Sequence, residues 1–380
     1  MKITDLRVIP AKHYLFIQID TDEGITGLGE AGNWGFLGAT AAALEKLKEF
    51  IIGKDPSTIE YHYQNMYRAM YFRGSVIMSA LSAIDIALWD IKGKLLGVPV
   101  YELLGGKTRN KIRVYASGFG SQTADEMVKG CKTLKEKGFT AAKLFLTEQQ
   151  TTPGGEREFF SNKIELLIEK VRRCREAVGN DFDLIMEMHR SLTSPEAVAL
   201  CREAEQYRPF NIEDPIIPDN PDAMGALAHK INIPIATGER FICMHEFQTL
   251  LARGGAFYVR PDVCAVGGIS QAKKVAAVAE AHGVQIIPHN PLGPVSTAAC
   301  VQLSACIPNL GIMELPDFCL DGREDAMVKK PLEIKNGCII VPNGPGIGIE
   351  LSDKAADLFP AKDRATKGAK ISFDGSVLDW

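Results

Sequence analysis

Glu187, Glu213 and Glu239 each close a short apolar run, and successive members lie 26 residues apart. A repeat of that length holds one strand, one helix and two loops. Strands repeated in this way run parallel and end at the same rim of a β/α barrel, so the three carboxylates converge there. Three converging carboxylates without three nearby cations repel one another strongly. A hard divalent cation removes that repulsion, and ligation by oxygen alone suggests Mg²⁺, one per subunit.

The rest of the chain is consistent with this frame. Residues 2–9, 13–20 and 25–31 run apolar or alternate, and Thr21-Asp22-Glu23-Gly24 is a turn signal between the last two, which predicts a three-stranded antiparallel meander. Helical patterns follow at 39–51, 57–69 and 75–96, the last with Leu81, Ile84, Leu88 and Ile91 at helical spacing. This opening reads as an α+β domain over residues 1–111. From Ile112 the rhythm changes to strands at 112–117, 141–146, 183–188, 209–213, 234–239, 256–262, 284–289 and 311–315. Helical patterns lie between them at 123–137, 162–178, 194–206, 221–230, 244–253, 269–282 and 294–306, and Ser194-Pro195-Glu196 is a helix start with Pro at the first position.

Eight strands and seven intervening helices predict a modified (β/α)7β barrel of the TIM type over residues 112–345, with the N-terminal domain as a cap. Residues 346–380 read as a tail packing back toward that cap. No Gly-x-Gly-x-x-Gly follows the first strand, so a dinucleotide-binding sheet loses its main support. The polar stretch 147–161 reads as a long loop at the catalytic face.

Composition narrows the function. With 380 residues, the chain is too long for one core of ordinary size and long enough for a barrel plus a smaller domain. A net charge of −4 without a basic stripe argues against nucleic acid as a partner. No apolar stretch approaches a membrane span, and MKITDLRVIP reads as a strand rather than a signal peptide. The 9 cysteines form no Cys-x-x-Cys pair, as expected of reduced core thiols in a cytoplasm rather than a zinc site.

His189, Asp262, His289 and Glu314 share the strand-end register, so six successive strands end on an acid or a histidine. A single strand-end carboxylate is ordinarily a helix cap or a solvated loop residue. Six in succession point to a site. In IMEMHR, Glu187 and His189 lie two apart and face the same way on an extended strand. Asp214, beside Glu213, then faces away and caps or pairs outside the cavity. Arg240, beside Glu239, is placed to hold neighbouring carboxylates. Asp262 ends the strand before that of His289; an Asp bonded to one ring nitrogen fixes the tautomer and raises the basicity of the other, which makes His289 a candidate general base. A proton beside a carboxylate is too weakly acidic for an imidazole alone, but a bound cation neutralises the developing enediolate. Glu314, protonated or hydrogen-bonded to the far carboxylate oxygen, would add to this.

TDEGITGLGE, GKDPSTIE, FRGS and SAIDIALWDIKGKLLGVPVYELLGG in the first part, YRPFNIEDP, IPIATGER, RPDVCAVGGIS and PHNPLGPV in the barrel, and DGSVLDW at the end carry a resemblance over nearly the whole chain. It resembles the enolase superfamily, mandelate racemase subgroup, and most of all the galactonate dehydratases. The resemblance implies Mg²⁺ ligands at Glu187, Glu213 and Glu239, a His289–Asp262 dyad that abstracts the C2 proton of an aldonate, His189 as the acid for the departing 3-hydroxyl, and Glu314 on the substrate carboxylate. The product would be a 2-keto-3-deoxy sugar acid. Loop 14–36 with Asn33, Trp34 and Phe36, and the stretch Tyr71 to Gly74 with Arg73, would contact the sugar chain. A cytoplasmic homo-oligomer of even number is also implied.

Two features depart from that pattern. Glu187 stands where galactonate dehydratases carry Asp. KLFL stands where racemases of the superfamily have Lys-x-Lys, so Phe145 replaces the second Lys and Lys143 is left to pair with carboxylates or substrate. A mannonate or gluconate dehydratase, a sugar-acid epimerase using His189 and His289 on opposite faces, and a non-catalytic relative that binds acid sugars remain as alternatives.

Overall fold

The computed structural model describes residues 1–32, 35–117, 123–147, 159–362, 370–371 and 374–378. Asn33, Trp34 and most of the expected long loop, residues 148–158, lie outside the described residues.

β1 (Ile3–Ala11), β2 (Tyr14–Thr21) and β3 (Thr26–Ala31) form the expected antiparallel meander. The apolar run of β2 buries both faces. Leu15, Ile17 and Ile19 join Ile3 and Leu6 against the helices that follow, whereas Tyr14 and Phe16 belong to the core of the barrel. Those helices are α1 (Leu37–Ile51), α2 (Ile59–Ala69) and α3 (Ser75–Leu96), with a short α4 (Val100–Leu103) after them. α3 lies directly on β3: a Cβ at Gly27 would meet Ala87 O at 2.1 Å, and one at Gly29 would meet Ala83 O at 2.0 Å. Any larger residue there would push helix and sheet apart.

The barrel strands are β4 (Lys111–Ala116), β5 (Ala141–Phe145), β6 (Asp183–Glu187), β7 (Asn211–Glu213), β8 (Ile235–Thr237), β9 (Tyr258–Val259), β10 (Gln285–Ile286) and β11 (Met313–Leu315). They pair in parallel from β4 to β10 in sequence order. β11 returns to β4, and the parallel bridge Ile286↔Leu310 closes the ring. Seven helices cover it: α5 (Ala124–Glu136), α6 (Phe160–Val178), α7 (Ser194–Ala204), α8 (Pro221–Ala228), α9 (Met244–Leu251), α10 (Gly268–Ala281) and α11 (Pro294–Cys306). At α7 the helix begins on Ser194, one residue before the expected Pro195, because Thr193 is the cap and Glu196 folds back to accept from its N–H at 2.7 Å.

One element has no counterpart in the sequence reading. β12 (Ile334–Lys335) and β13 (Cys338–Ile340) form a hairpin whose second strand pairs antiparallel with the first half of β4, Ile339 opposite Ile112. Beyond it the chain meets the N-terminal layer. Gly346 N–H donates to Val98 O at 3.0 Å, Ile347 N–H to Asp90 Oδ1 at 2.9 Å, and Lys12 N–H to Phe359 O at 2.8 Å. All nine cysteines carry free thiols. Among the described residues no helix is long and apolar enough to cross a membrane.

Inside the barrel, Tyr115, Ala141, Ile185, Ile287 and Ile312 form an apolar plug. Lys143, Arg260, Glu213 and Glu314 are buried with it and carry the interior from apolar to charged. This is the layered filling that a barrel of eight strands requires.

Candidate active site

Strand register sets the carboxylates side by side. Phe145 pairs with Glu187 and Glu187 with Glu213, so the three sit at one level of adjacent strands. One carboxylate oxygen each from Glu187, Glu213 and Glu239 falls within 4.8 Å of the others, as the 26-residue spacing predicts. Glu213 Oε2 is buried with no hydrogen-bond donor, and Glu187 Oε2, also buried, makes no hydrogen bond but has the Lys143 ammonium 3.2 Å away. Buried carboxylate oxygens of one chemical type, short of donors, fit a hard cation.

The cluster also contains three cations: Lys143, expected to pair with carboxylates or substrate, and Arg190 and Arg260, which the sequence reading did not assign to it. Lys143, buried in the barrel, lies 3.2 Å from Glu187, 3.0 Å from Glu213 and 2.7 Å from Glu314. Its ammonium is thereby matched to three carboxylates, and of the two partners expected for it the structure provides these rather than open space for substrate. Arg260 is wholly buried and reaches Glu213 at 3.0 Å, Glu314 at 2.6 Å and the Tyr115 hydroxyl at 2.7 Å. Arg190 donates to Asp214 at 3.1 Å and to Glu239 at 2.8 Å. The guanidinium holding Glu239 is therefore that of Arg190, not that of its neighbour Arg240, which is exposed. Asp214 does not cap outside the cavity but is buried within this network.

Five carboxylates (Glu187, Glu213, Asp214, Glu239, Glu314) thus face three fixed cations (Lys143, Arg190, Arg260). Carboxylates outnumber these cations, and the Asp262–His289 pair adjoins the same network, so an excess of negative charge remains that a divalent ion would reduce. Ionisation follows the same geometry. Burial pushes Glu239 up, but His289, Arg190 and Arg260 outweigh it and lower its pKa to about 2. Burial pushes Asp214 up to about 6, aided by the Glu239 charge and opposed by Arg190. Burial likewise drives Glu213 well above the usual range. At Glu314 burial is overcome by Lys143 and Arg260, which hold it well below that range. Glu314 is therefore ionised, so the expected protonated form is replaced by a carboxylate that accepts from Arg260 and from the Asn290 N–H at 3.0 Å.

Asp262 and His289 lie on neighbouring strand ends, joined by a parallel bridge. His289 Nδ1 is 2.9 Å from Asp262 Oδ2, and the other Asp262 oxygen accepts from Cys264 N–H at 2.8 Å. Nε2 points back toward the cluster, 3.4 Å from Glu239. Burial opposes charge on this ring, yet Glu239 and Asp262 outweigh it and raise its pKa above the ordinary histidine value. The pair has the shape of an oriented base.

His189 reaches the cluster by a different route from the one expected. β6 stops at Glu187, and His189 and Arg190 take left-handed backbones with φ of 44° and 64°. The imidazole is placed by this turn and not by strand alternation. The His189 backbone N–H donates to Glu187 Oε1 at 2.8 Å, so the glutamate side chain folds back onto the turn. The ring stacks on Phe145, and burial lowers its pKa to about 4.

Trp34 lies outside the described residues. Arg73 sits over the Tyr67 ring at 4.1 Å and lines a cavity of 380 Å³ between α2 and the segment Cys243, Met244 and His245. None of the clustered carboxylates lines that cavity. A usable signal for the missed cations was present in their positions along the chain. Arg260 stands two residues before Asp262 and so faces inward with it, and Arg190 follows His189 directly.

The chain matches the family model described as enolase C-terminal domain-like over residues 126–355, and that of the mandelate racemase and muconate lactonizing enzyme N-terminal domain over residues 5–105. A D-galactonate dehydratase of Pectobacterium atrosepticum is 37% identical over 366 residues, 93% of this chain and 92% of that protein. A D-galactonate dehydratase of Ralstonia pickettii is 36% identical over 397 aligned residues, 100% of each. A crystal structure from Agrobacterium radiobacter, described as an enolase proposed to be a galactarate dehydratase and holding sodium and L-malate, has a TM-score of 0.91 and 30% identity over 100% of both chains. Matched in both of its parts and along its full length, the chain belongs to the enolase superfamily, in the mandelate racemase and muconate lactonizing enzyme group.

Proposed function

We propose that this protein is a Mg²⁺-dependent hydro-lyase that dehydrates an aldonate of the galactonate class to a 2-keto-3-deoxy sugar acid. The observation that carries the reading is the His289–Asp262 pair at 2.9 Å, with the free face of the imidazole turned toward the three carboxylates. Glu187, Glu213 and Glu239 would hold the ion, whose charge when bound offsets the negative charge that develops on the substrate carboxylate as C2 loses its proton.

Asp262 accepts from Nδ1 and leaves the lone pair on Nε2, so His289 takes the C2 proton. His189, half-buried and neutral at rest, would first take up a proton and then, as the imidazolium, pass it to the departing 3-hydroxyl, which leaves as water. Lys143 and Arg260 keep Glu314 ionised and Glu213 in place, fixing the charge pattern against which the substrate carboxylate is read. Trp34 and Arg73 are proposed to contact the sugar chain.

A panel of aldonates incubated with Mg²⁺ and read out as semicarbazones of the 2-keto product tests this directly. Galactonate or a close epimer is expected to turn over; absence of product from every aldonate at saturating Mg²⁺ refutes the reading.

A further inference from the structure

Phe145 sits at the end of β5, in register with Glu187, and so faces the same interior layer as the three carboxylates. Its ring lies 5.3 Å from the His189 imidazole with the planes inclined by 17°, a stacked pair. The Lys143 ammonium lies 5.4 Å from the Phe145 ring centroid. This amine and His189 Nε2 both reach Glu187 Oε2, at 3.2 and 3.8 Å, so the phenyl ring flanks the pair. That amine is already directed at Glu187, Glu213 and Glu314.

The backbone makes a firm support for His189 necessary. β6 has ended, and the residue occupies a left-handed turn. Hydrogen bonds from Met188 N–H to Glu213 O at 3.1 Å and from Arg190 N–H to Asp214 O at 2.7 Å hold the backbone on either side, and the plane of the imidazole is left to its side-chain contacts. An aromatic face in stacking distance supplies an orienting contact beyond simple burial.

We propose that Phe145 is a positioning residue for His189: its ring holds the imidazole in one plane, so that the proton for the departing hydroxyl is delivered before the enediolate is reprotonated at C2. The proposal rests on the dehydratase reading. Phe145 has no ionisable group of its own and acts through His189. Removing the ring therefore leaves the His289–Asp262 half of the reaction in place and slows the half that expels water. The enediolate then returns to substrate more often than it goes forward.

The test separates the two halves. Wild type, Phe145→Leu and Phe145→Tyr are incubated with the turned-over aldonate and Mg²⁺ in D2O. Deuterium at C2 of recovered substrate is measured by NMR and 2-keto product by semicarbazide. In F145L the ratio of C2 exchange to water loss is expected to rise at least about tenfold with kcat for product falling and KM little changed, while F145Y, which keeps the ring, returns to the wild-type ratio. Equal loss of both in F145L, or no change in the ratio, overturns the proposal. If F145L does not fold, F145M takes its place under the same criteria.

A second readout is independent of turnover. In protein labelled at histidine, the His189 ring protons, assigned with His189→Gln, are expected upfield in wild type and F145Y and shifted toward ordinary values in F145L. Unchanged positions in F145L overturn the stacking itself. If no aldonate is turned over by wild type while the ring-current shift behaves as expected, the dehydratase reading has failed and the positioning of His189 has not.

Discussion

An imidazole in water titrates near pH 6.5, and burial by itself would make it a weaker base. At His289 the Glu239 carboxylate and the Asp262 contact at 2.9 Å reverse that effect, and the ring is left basic and fixed in orientation. The consequence is measurable at one bond. His289→Asn is expected to slow deuterium exchange at C2 of the aldonate by about 10²–10⁴-fold, the usual worth of a positioned base, and product formation with it. Proton NMR in D2O reads both, and exchange persisting at the wild-type rate would remove His289 from the role. The residues of this site were unevenly legible. Glu187, Glu213, Glu239, Asp262, His289 and Glu314 follow from strand ends and meet as that pattern requires. Arg190 and Arg260 did not stand out, because a lone arginine beside a strand end is most often solvated, and only the closed ring shows that these two are buried among carboxylates.

Elements are joined by carboxylates as well as by apolar faces. Glu30, at the end of β3, is buried and accepts from the N–H groups of Gly293 at 2.7 Å and Ser296 at 2.8 Å, at the start of α11. Asp85 of α3 does the same for α10, accepting from Ser270 N–H at 3.0 Å, and a Cβ at Gly268 would meet its Oδ1 at 2.2 Å. Two barrel helices therefore take their N-terminal acceptors from the N-terminal layer, where the helix dipole favours negative charge. Burial nevertheless dominates and raises Glu30 from 4.5 to about 8. The folded protein then binds one proton more than the unfolded chain across that interval, so this group costs stability as pH rises from about 4.5 to 8 and costs no more above it. Glu30→Gln, which cannot ionise, is expected to gain stability relative to wild type as pH is raised through the same window, by roughly 1 kcal/mol or more for each unit of the shift. Urea unfolding at pH 5, 6.5 and 8 checks it; a constant difference between the two proteins at all three would contradict the assignment.

At the scale of the whole molecule the charge inventory matters most. In the interior of the barrel carboxylates outnumber the fixed cations Lys143, Arg190 and Arg260, and the excess negative charge opposes folding. A divalent ion that binds only the folded state stabilises it by mass action, about 2.7 kcal/mol at a hundred times its Kd. For a chain of this length that is a rise in Tm of roughly 3 °C. Differential scanning fluorimetry with Mg²⁺ against EDTA is expected to show such a rise for wild type and to lose it in Glu213→Gln; an equal response in both would place the ion elsewhere.

The 26-residue spacing of three glutamates and the alternation of eight apolar runs with seven helical patterns determined the barrel and which side chains converge at its rim, since strand period and parallel topology carry every strand end to one rim. Tertiary structure alone decided which cations lie beside those carboxylates, that β6 ends before His189 and a left-handed turn aims its ring, that Phe145 stacks on that ring, and that a late hairpin pairs with β4. Each of these depends on groups brought together from distant parts of the chain, and their burial, charge and stacking energies exist only once the ring has closed.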